Sequence, residues 1–187
     1  EKVMPMSDDR VETRVCTKEG PLSFHDFWVA RRGRDLVLSV TYEGAEDAEP
    51  APGVLEAIRE SEKVIIGPSN PVTSVGPILA VKGIRPALAE ARKKTIAVSP
   101  IIGGAPVSGP AGTLMRAAGK EVTALGVAQA YKDITSALVI DNRDKELVPE
   151  IERLGVKVFV TDLLMPDLVS RERLAREVLS FAGVKPR

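Results

Sequence analysis

Several residue types that usually carry chemistry are almost missing from this sequence. It has one cysteine (Cys16), one histidine (His25) and one tryptophan (Trp28). A single cysteine excludes a disulfide framework and a cysteine-based zinc site. The immediate neighbours of Cys16 are the uncharged Val15 and Thr17, so nothing marks it as a thiol nucleophile. A lone histidine in a helical stretch is more often packed or solvated than catalytic. Net charge is also absent, with 26 Lys+Arg against 26 Asp+Glu. There is therefore no broad electrostatic drive towards nucleic acid or a membrane surface. No apolar run approaches the roughly 20 residues that cross a bilayer, and no leader pattern is visible, so a cytoplasmic location is expected. Side-chain amides are scarce (Asn70, Asn142 and Gln129). That depletion points towards a heat-adapted source.

What remains is an ordinary globular composition, 44% apolar and 28% charged over 187 residues, enough for one domain, or one domain with an excursion. Val11–Thr17 alternates as a strand does. Leu22–Arg31 has helical spacing, with Ser23 as its cap. Residues 41–53 read as an acidic loop, and Val54–Lys63 as an amphipathic helix. A rhythm follows. Strands are expected at Val64–Ile66, Thr95–Ser99, Ala137–Ile140 and Val156–Thr161. Helices are expected at Val75–Lys93, Gly112–Gly119, Val122–Tyr131, Leu147–Leu154 and Arg171–Phe181. Short Val/Ile-rich runs alternating with helices indicate parallel strands buried on both faces. The expected fold class is α/β, a doubly wound parallel sheet with a small helical excursion at about 20–60.

Ligands of such sheets bind beyond the carboxyl ends of the strands. The unusual residues of this sequence fall at those ends. After Ile66 comes GPSNPVTS. Gly67 permits close backbone approach, Pro68 and Pro71 stiffen the turn, and Ser69, Asn70, Thr73 and Ser74 offer uncharged donors ahead of a helix N-terminus. The combination suits phosphate oxygens, although it is neither a Walker A loop nor GxGxxG. It equally suits a plain strand–helix turn with a hydroxyl cap. After Val98 comes SPIIGGAPVSGPAG. Ser99 and Ser108 carry hydroxyls there, and Gly103, Gly104, Gly109 and Gly112 alternate with three prolines. This is a defined irregular backbone, either binding or purely structural. MPMSDD at 4–9 places Asp8 beside Asp9, a pair able to hold a hard divalent cation or merely to close a turn. Asp141 and Asp144 either bond a ligand hydroxyl or close a turn. Phe24, Phe27 and Trp28 either fill the core or flank a planar ring. TDLLMPD follows the fourth strand.

Five segments together resemble the CofD family, 2-phospho-L-lactate transferases of deazaflavin coenzyme (F-420) biosynthesis. They are MPMSDDRVET (4–13), LSFHDFWV (22–29), VIIGPSNPVTSVGPILAVKGIRPAL (64–88), VSPIIGGAPVSGPAGTLM (98–115) and GVAQAYKD (126–133). The resemblance implies a Rossmann-like enzyme that uses Mg²⁺. It implies transfer of a phospholactyl or phosphoenolpyruvyl group from a guanosine diphospho donor to the deazaflavin FO, with release of GMP. It implies a diphosphate held by Gly67, Ser69, Asn70, Thr73 and Ser74 through backbone amides and side chains, with Ser99, Gly103 and Gly104 forming the neighbouring wall. Asp8 and Asp9 match the family's acidic pair, as ligands of the metal or of a hydroxyl. Family precedent implies a homodimer. The family's opening GGTG-type turn has no counterpart here, so residues 1–187 are expected to be the C-terminal part of one Rossmann-like domain. The alternative is the YvcK-type regulatory branch, which binds nucleotide sugars without transfer. Asn70-Pro71 and FHDFW favour the transferase branch.

Overall fold

The computed structural model describes residues 3–107 and 109–184. Strands β1 (Glu12–Thr17), β2 (Gly20–Ser23) and β3 (Val37–Glu43) form an antiparallel sheet in the order β2-β1-β3. Between β2 and β3 lies one π-helical turn, Asp26–Ala30, whose backbone N–H at Asp26 is accepted by Ser23 Oγ at 3.0 Å. Residues 20–60 hold strand as well as the expected helix. Ser23 caps as expected. The helix expected over Leu22–Arg31 is shortened to residues 24–30, because Leu22 and Ser23 pair with Val15 and Arg14. Residues 3–6 are not strand; the segment is pinned by a bridge between Ser7 and Pro50.

After α1 (Val54–Glu60) the chain enters the main sheet through β4 (Val64–Ile66). The single long helix expected next is two, α2 (Val75–Ala80) and α3 (Ile84–Glu90), separated at Gly83, which adopts φ +86°. A left-handed residue cannot continue a right-handed helix. Then come β5 (Thr95–Val98), a two-residue-per-strand hairpin of β6 (Ile101–Ile102) and β7 (Ala105–Pro106), α4 (Ala111–Ala117), α5 (Ala124–Tyr131) and β8 (Ala137–Asp141). A 3₁₀ turn over Asn142–Leu147 leads to α6 (Val148–Glu152), β9 (Lys157–Thr161) and α7 (Leu168–Phe181). A capping box of Asp167 and Ser170 starts α7 three residues earlier than periodicity alone suggests.

The sheet order is β4-β5-β8-β9, all parallel. Inner strands β5 and β8 are buried at every residue, as parallel strands covered on both faces must be. Ala97, Leu138 and Ile140 point into a core shared with Leu88 of α3, Val127 and Tyr131 of α5 and Ile151 of α6. Ile96, Val98 and Val139 point the other way, under Leu174 and Val178 of α7. Phe159 and Phe181 stack on that face with ring centroids 4.9 Å apart. The antiparallel sheet is fastened to the same body: Val15, Phe27 and Val37 join the main core beside Leu114 and Met115 of α4.

Candidate active site

A cavity of about 640 Å³ opens at the carboxyl ends of β4, β5 and β9. The two Gly/Pro-rich loops meet there, as the sequence suggests. Pro68, Ser69, Asn70, Thr73 and Ser74 line one wall, and Ser99, Pro100, Ile102, Pro106 and Val107 another. Leu163, Leu164, Met165 and Pro166, from the segment after β9, form a third, and Phe24 lines the cavity from the excursion. Polar hydroxyls and apolar surface thus face one space.

The backbone hydrogen bonds differ from expectation. Five amides of the 67–75 loop, those of Ser69, Val72, Thr73, Ser74 and Val75, are used within the loop. Ser69 N–H donates to Gly67 C=O at 2.8 Å, and both Ser74 and Val75 N–H donate to Asn70 C=O at 3.0 Å. The Asn70 side chain accepts from Val72 N–H at 2.9 Å and from Thr73 N–H at 3.4 Å. α2 has only six residues, and its first amide, that of Val75, is already engaged. Most of the loop's amides are thus taken up by the loop itself, and its side chains line the cavity. Asn70 acts as the internal clasp that two proline-flanked turns require, since Pro68 and Pro71 have no N–H to offer. Gly67 is exposed and borders a second, apolar trench beside β4 rather than this cavity. A Cβ at Gly67 would meet nothing within 4 Å. The loop also has a brace from outside: Tyr42 of β3 donates its hydroxyl to Val72 C=O at 2.5 Å. Burial raises the Tyr42 pKa and keeps that proton in place. Gly76 makes room for it, because a Cβ there would stand 2.0 Å from the Tyr42 oxygen.

The second loop is corrected more sharply. Gly103 and Gly104, at φ +57° and +75°, form the two-residue turn of the β6–β7 hairpin. Two central residues with positive φ define the type I′ geometry that suits hairpins, and Gly-Gly between apolar pairs was the signal for it. Neither glycine lines the cavity. Gly103 N–H donates to the Asp144 carboxylate at 3.0 Å, so the glycine amides point away from any ligand. Ser99 lines the cavity but is 1% exposed. Its hydroxyl donates to Ile101 C=O and accepts from Ile101 N–H, both at 3.1 Å, and so shapes the wall. Ser108 lies outside the described residues.

Asp141 and Asp144 are buried structural groups. Asp141 accepts from Leu163 N–H at 2.9 Å, from Arg143 N–H at 3.0 Å and from the Arg143 guanidinium at 2.8 Å. Burial pushes its pKa up, but these donors prevail and hold it below the ordinary carboxylate value. Burial raises Asp144, and the nearby Glu146 and Asp141 charges add to that, against the lowering effect of the Gly103 and Gly104 N–H groups.

Asp8 and Asp9 do not line this cavity. Asp9 accepts from Glu49 N–H at 2.9 Å, while its own N–H donates to Ser7 Oγ at 3.0 Å. Among the described residues no group of three or more His, Cys, Asp or Glu side chains is arranged to hold a metal ion. His25 is exposed, Phe27 is core and Trp28 is 40% exposed. Of the aromatic trio, Phe24 alone reaches the cavity. Among the described residues no helix is long and apolar enough to cross a membrane.

The fold is shared with two crystal structures of a Bacillus halodurans protein of the UPF0052 family. Each has a TM-score of 0.63; one is 17% identical, covering 95% of this chain and 61% of that one, the other 20% identical, covering 92% and 61%. Much closer in sequence are proteins named 2-phospho-L-lactate transferase. That of Methanocaldococcus jannaschii is 49% identical over 97% of this chain. Those of Methanococcus maripaludis and Methanosarcina mazei are 47% and 46% identical over 96% and 95%. The chain spans 58% of the length of each of these relatives. The family model described as 2-phospho-L-lactate transferase CofD matches residues 1–171, and the chain belongs to that family.

Proposed function

We propose that the polypeptide to which this chain corresponds transfers a phospholactyl or phosphoenolpyruvyl group from a guanosine diphospho donor to the ribityl hydroxyl of the deazaflavin FO. The carrying observation is the two-sided cavity. Its hydroxyl-bearing wall of Ser69, Thr73 and Ser74 suits the oxygens of a diphosphate, and its apolar walls, with Phe24, Ile102, Leu164 and Met165, suit a flat heteroaromatic ring. In this reading the acceptor oxygen attacks the phosphorus that bears the lactyl group. A new P–O bond forms, the P–O bond to GMP breaks, the hydroxyl loses its proton and GMP leaves. The protein's task is to align acceptor and donor and to offset charge. Side-chain hydroxyls and the Asn70 amide group carry the diphosphate contacts, since most of the loop amides are engaged. Mg²⁺ would neutralise phosphate charge when bound. The Asp8–Asp9 pair does not fit that role at this cavity, and no residue of this chain is assigned to the ion. A cytoplasmic homodimer completes the proposal.

The test is release of GMP when the protein, at the length of its relatives and as residues 1–187, is mixed with FO, the guanosine donor and Mg²⁺. Turnover is the expected result at the length of the relatives. A nucleotide sugar bound with no turnover would favour the regulatory alternative, and no heat on titration with GDP would leave the cavity without its nucleotide.

A further inference from the structure

Two walls of the cavity are fastened to one place. β8 is an inner strand, buried throughout, and Asp141 is its last residue. Asp141 is fully buried and holds Leu163 N–H at 2.9 Å, at the root of the 163–166 wall. Asp144, 2% exposed and three residues further on, holds Gly103 N–H at 3.0 Å, at the turn of the hairpin whose Ile102 and Pro106 form the facing wall. Arg143 lies between them. Its guanidinium pairs with Asp141 at 2.8 Å, and its aliphatic stem lies about where a Cβ on Gly103 would make contact, at 3.6 Å.

Neither wall is a self-sufficient element. The hairpin has two residues in each strand, and even a full-length two-stranded ribbon is marginal in water. Residues 162–166 have no regular structure. A buried carboxylate is costly to desolvate, and it is kept where its donors compensate. Here each carboxylate meets backbone donors belonging to a different wall.

We propose that Asp141 and Asp144 are positioning residues that set the distance between the 101–106 and 163–166 walls, each governing one wall independently. Neither touches the ligand. The proposal rests on the transferase reading for its functional consequence: the apolar gap between these walls fixes the acceptor ring, while the nucleotide side at 69–74 is held separately by Asn70 and Tyr42.

The experiment is amide hydrogen exchange on Asp144→Ala, Asp144→Asn and Asp141→Asn, with binding of GDP and FO measured in parallel. Asp144→Ala is expected to speed exchange at Gly103 and Gly104 at least tenfold and to leave Leu163 unchanged. Asp141→Asn, which keeps one acceptor oxygen, is expected to speed exchange at Leu163 by less than tenfold and to leave Gly103 and Gly104 unchanged. Asp144→Asn keeps one acceptor oxygen and is expected to retain part of the Gly103 protection. FO affinity should fall about tenfold in Asp144→Ala, while GDP affinity stays within twofold. Equal acceleration of all core amides would reduce both residues to general stability and overturn the proposal. Unchanged protection at Gly103 and Leu163, or equal losses of GDP and FO affinity, would overturn it too. A wild-type chain that binds neither GDP nor FO would bring down the transferase reading instead, and the crossed exchange pattern would still decide the positioning roles.

Discussion

The two loops that face each other across the cavity are built on opposite plans. The 67–75 loop closes on itself: Asn70 accepts through its own carbonyl and side chain from residues two to five positions ahead. The 101–106 hairpin is tied at its turn to Asp144, 41 positions away in sequence. A loop with a local clasp keeps its shape wherever its strand ends. A loop with a distant one keeps its shape only once the sheet is assembled. The nucleotide side of the proposed site is therefore held mainly within its own loop, with Tyr42 as an outside brace, and the acceptor side is held by a tie to the assembled sheet.

This contrast can be broken at several points. The largest expected effect is from Gly76→Ala. The new methyl would occupy the space of the Tyr42 hydroxyl, and the forced displacement should cost about 3 kcal/mol, read as a lower urea midpoint, with GDP binding reduced. Asn70→Ala removes the local clasp. Val72 is buried, so stranding its N–H should cost about 2 kcal/mol. If stability and GDP affinity are both unaffected, the loop is not self-held and the contrast fails.

Acid titration probes the distant plan. The Asp141 pKa lies below the ordinary value in the folded protein. Its contribution is thus complete above the ordinary carboxylate range and is lost as pH falls through the folded value. Asp144 has the opposite sign: its raised pKa lets the folded state take up a proton first, so its contribution improves on acidification and partly offsets the loss. Urea unfolding of wild type and Asp141→Asn between about pH 6 and about pH 3 should show the steeper acid loss in wild type. Equal slopes would mean that folding does not lower the Asp141 pKa. The smallest effect is expected from Tyr42→Phe, which removes one hydrogen bond to Val72 C=O and should cost about 1 kcal/mol. A greater loss than for Asn70→Ala would make the outside brace the principal one.

The same contrast explains what could be read from the residues alone. The four parallel strands are Val/Ile runs whose burial is written into their composition, and each lies within a residue or so of its expected place. The 67–74 loop was legible because its proline and asparagine partners are contiguous. β3 was not, because Leu36 and Leu38 are 61% and 52% exposed and blur the alternation. The hairpin strands are too short to show a period. The tie from Asp144 to Gly103 leaves no local trace, so the glycines read as ligand-facing when they form an exposed turn outside the cavity. Sequence located the cavity, but which N–H groups remained for a ligand depended on pairings between distant segments.

β4 has a consequence of a different kind. Among the described residues it pairs with β5 alone, on one side. Ile65 shares a face with its partner Ile96, yet it is 40% exposed while Ile96 is nearly covered. An oily strand with an open margin is a natural seam for another ribbon of polypeptide. Whatever occupies that seam raises the melting temperature by mass action. Left open, such a margin favours self-association of residues 1–187 as their concentration rises.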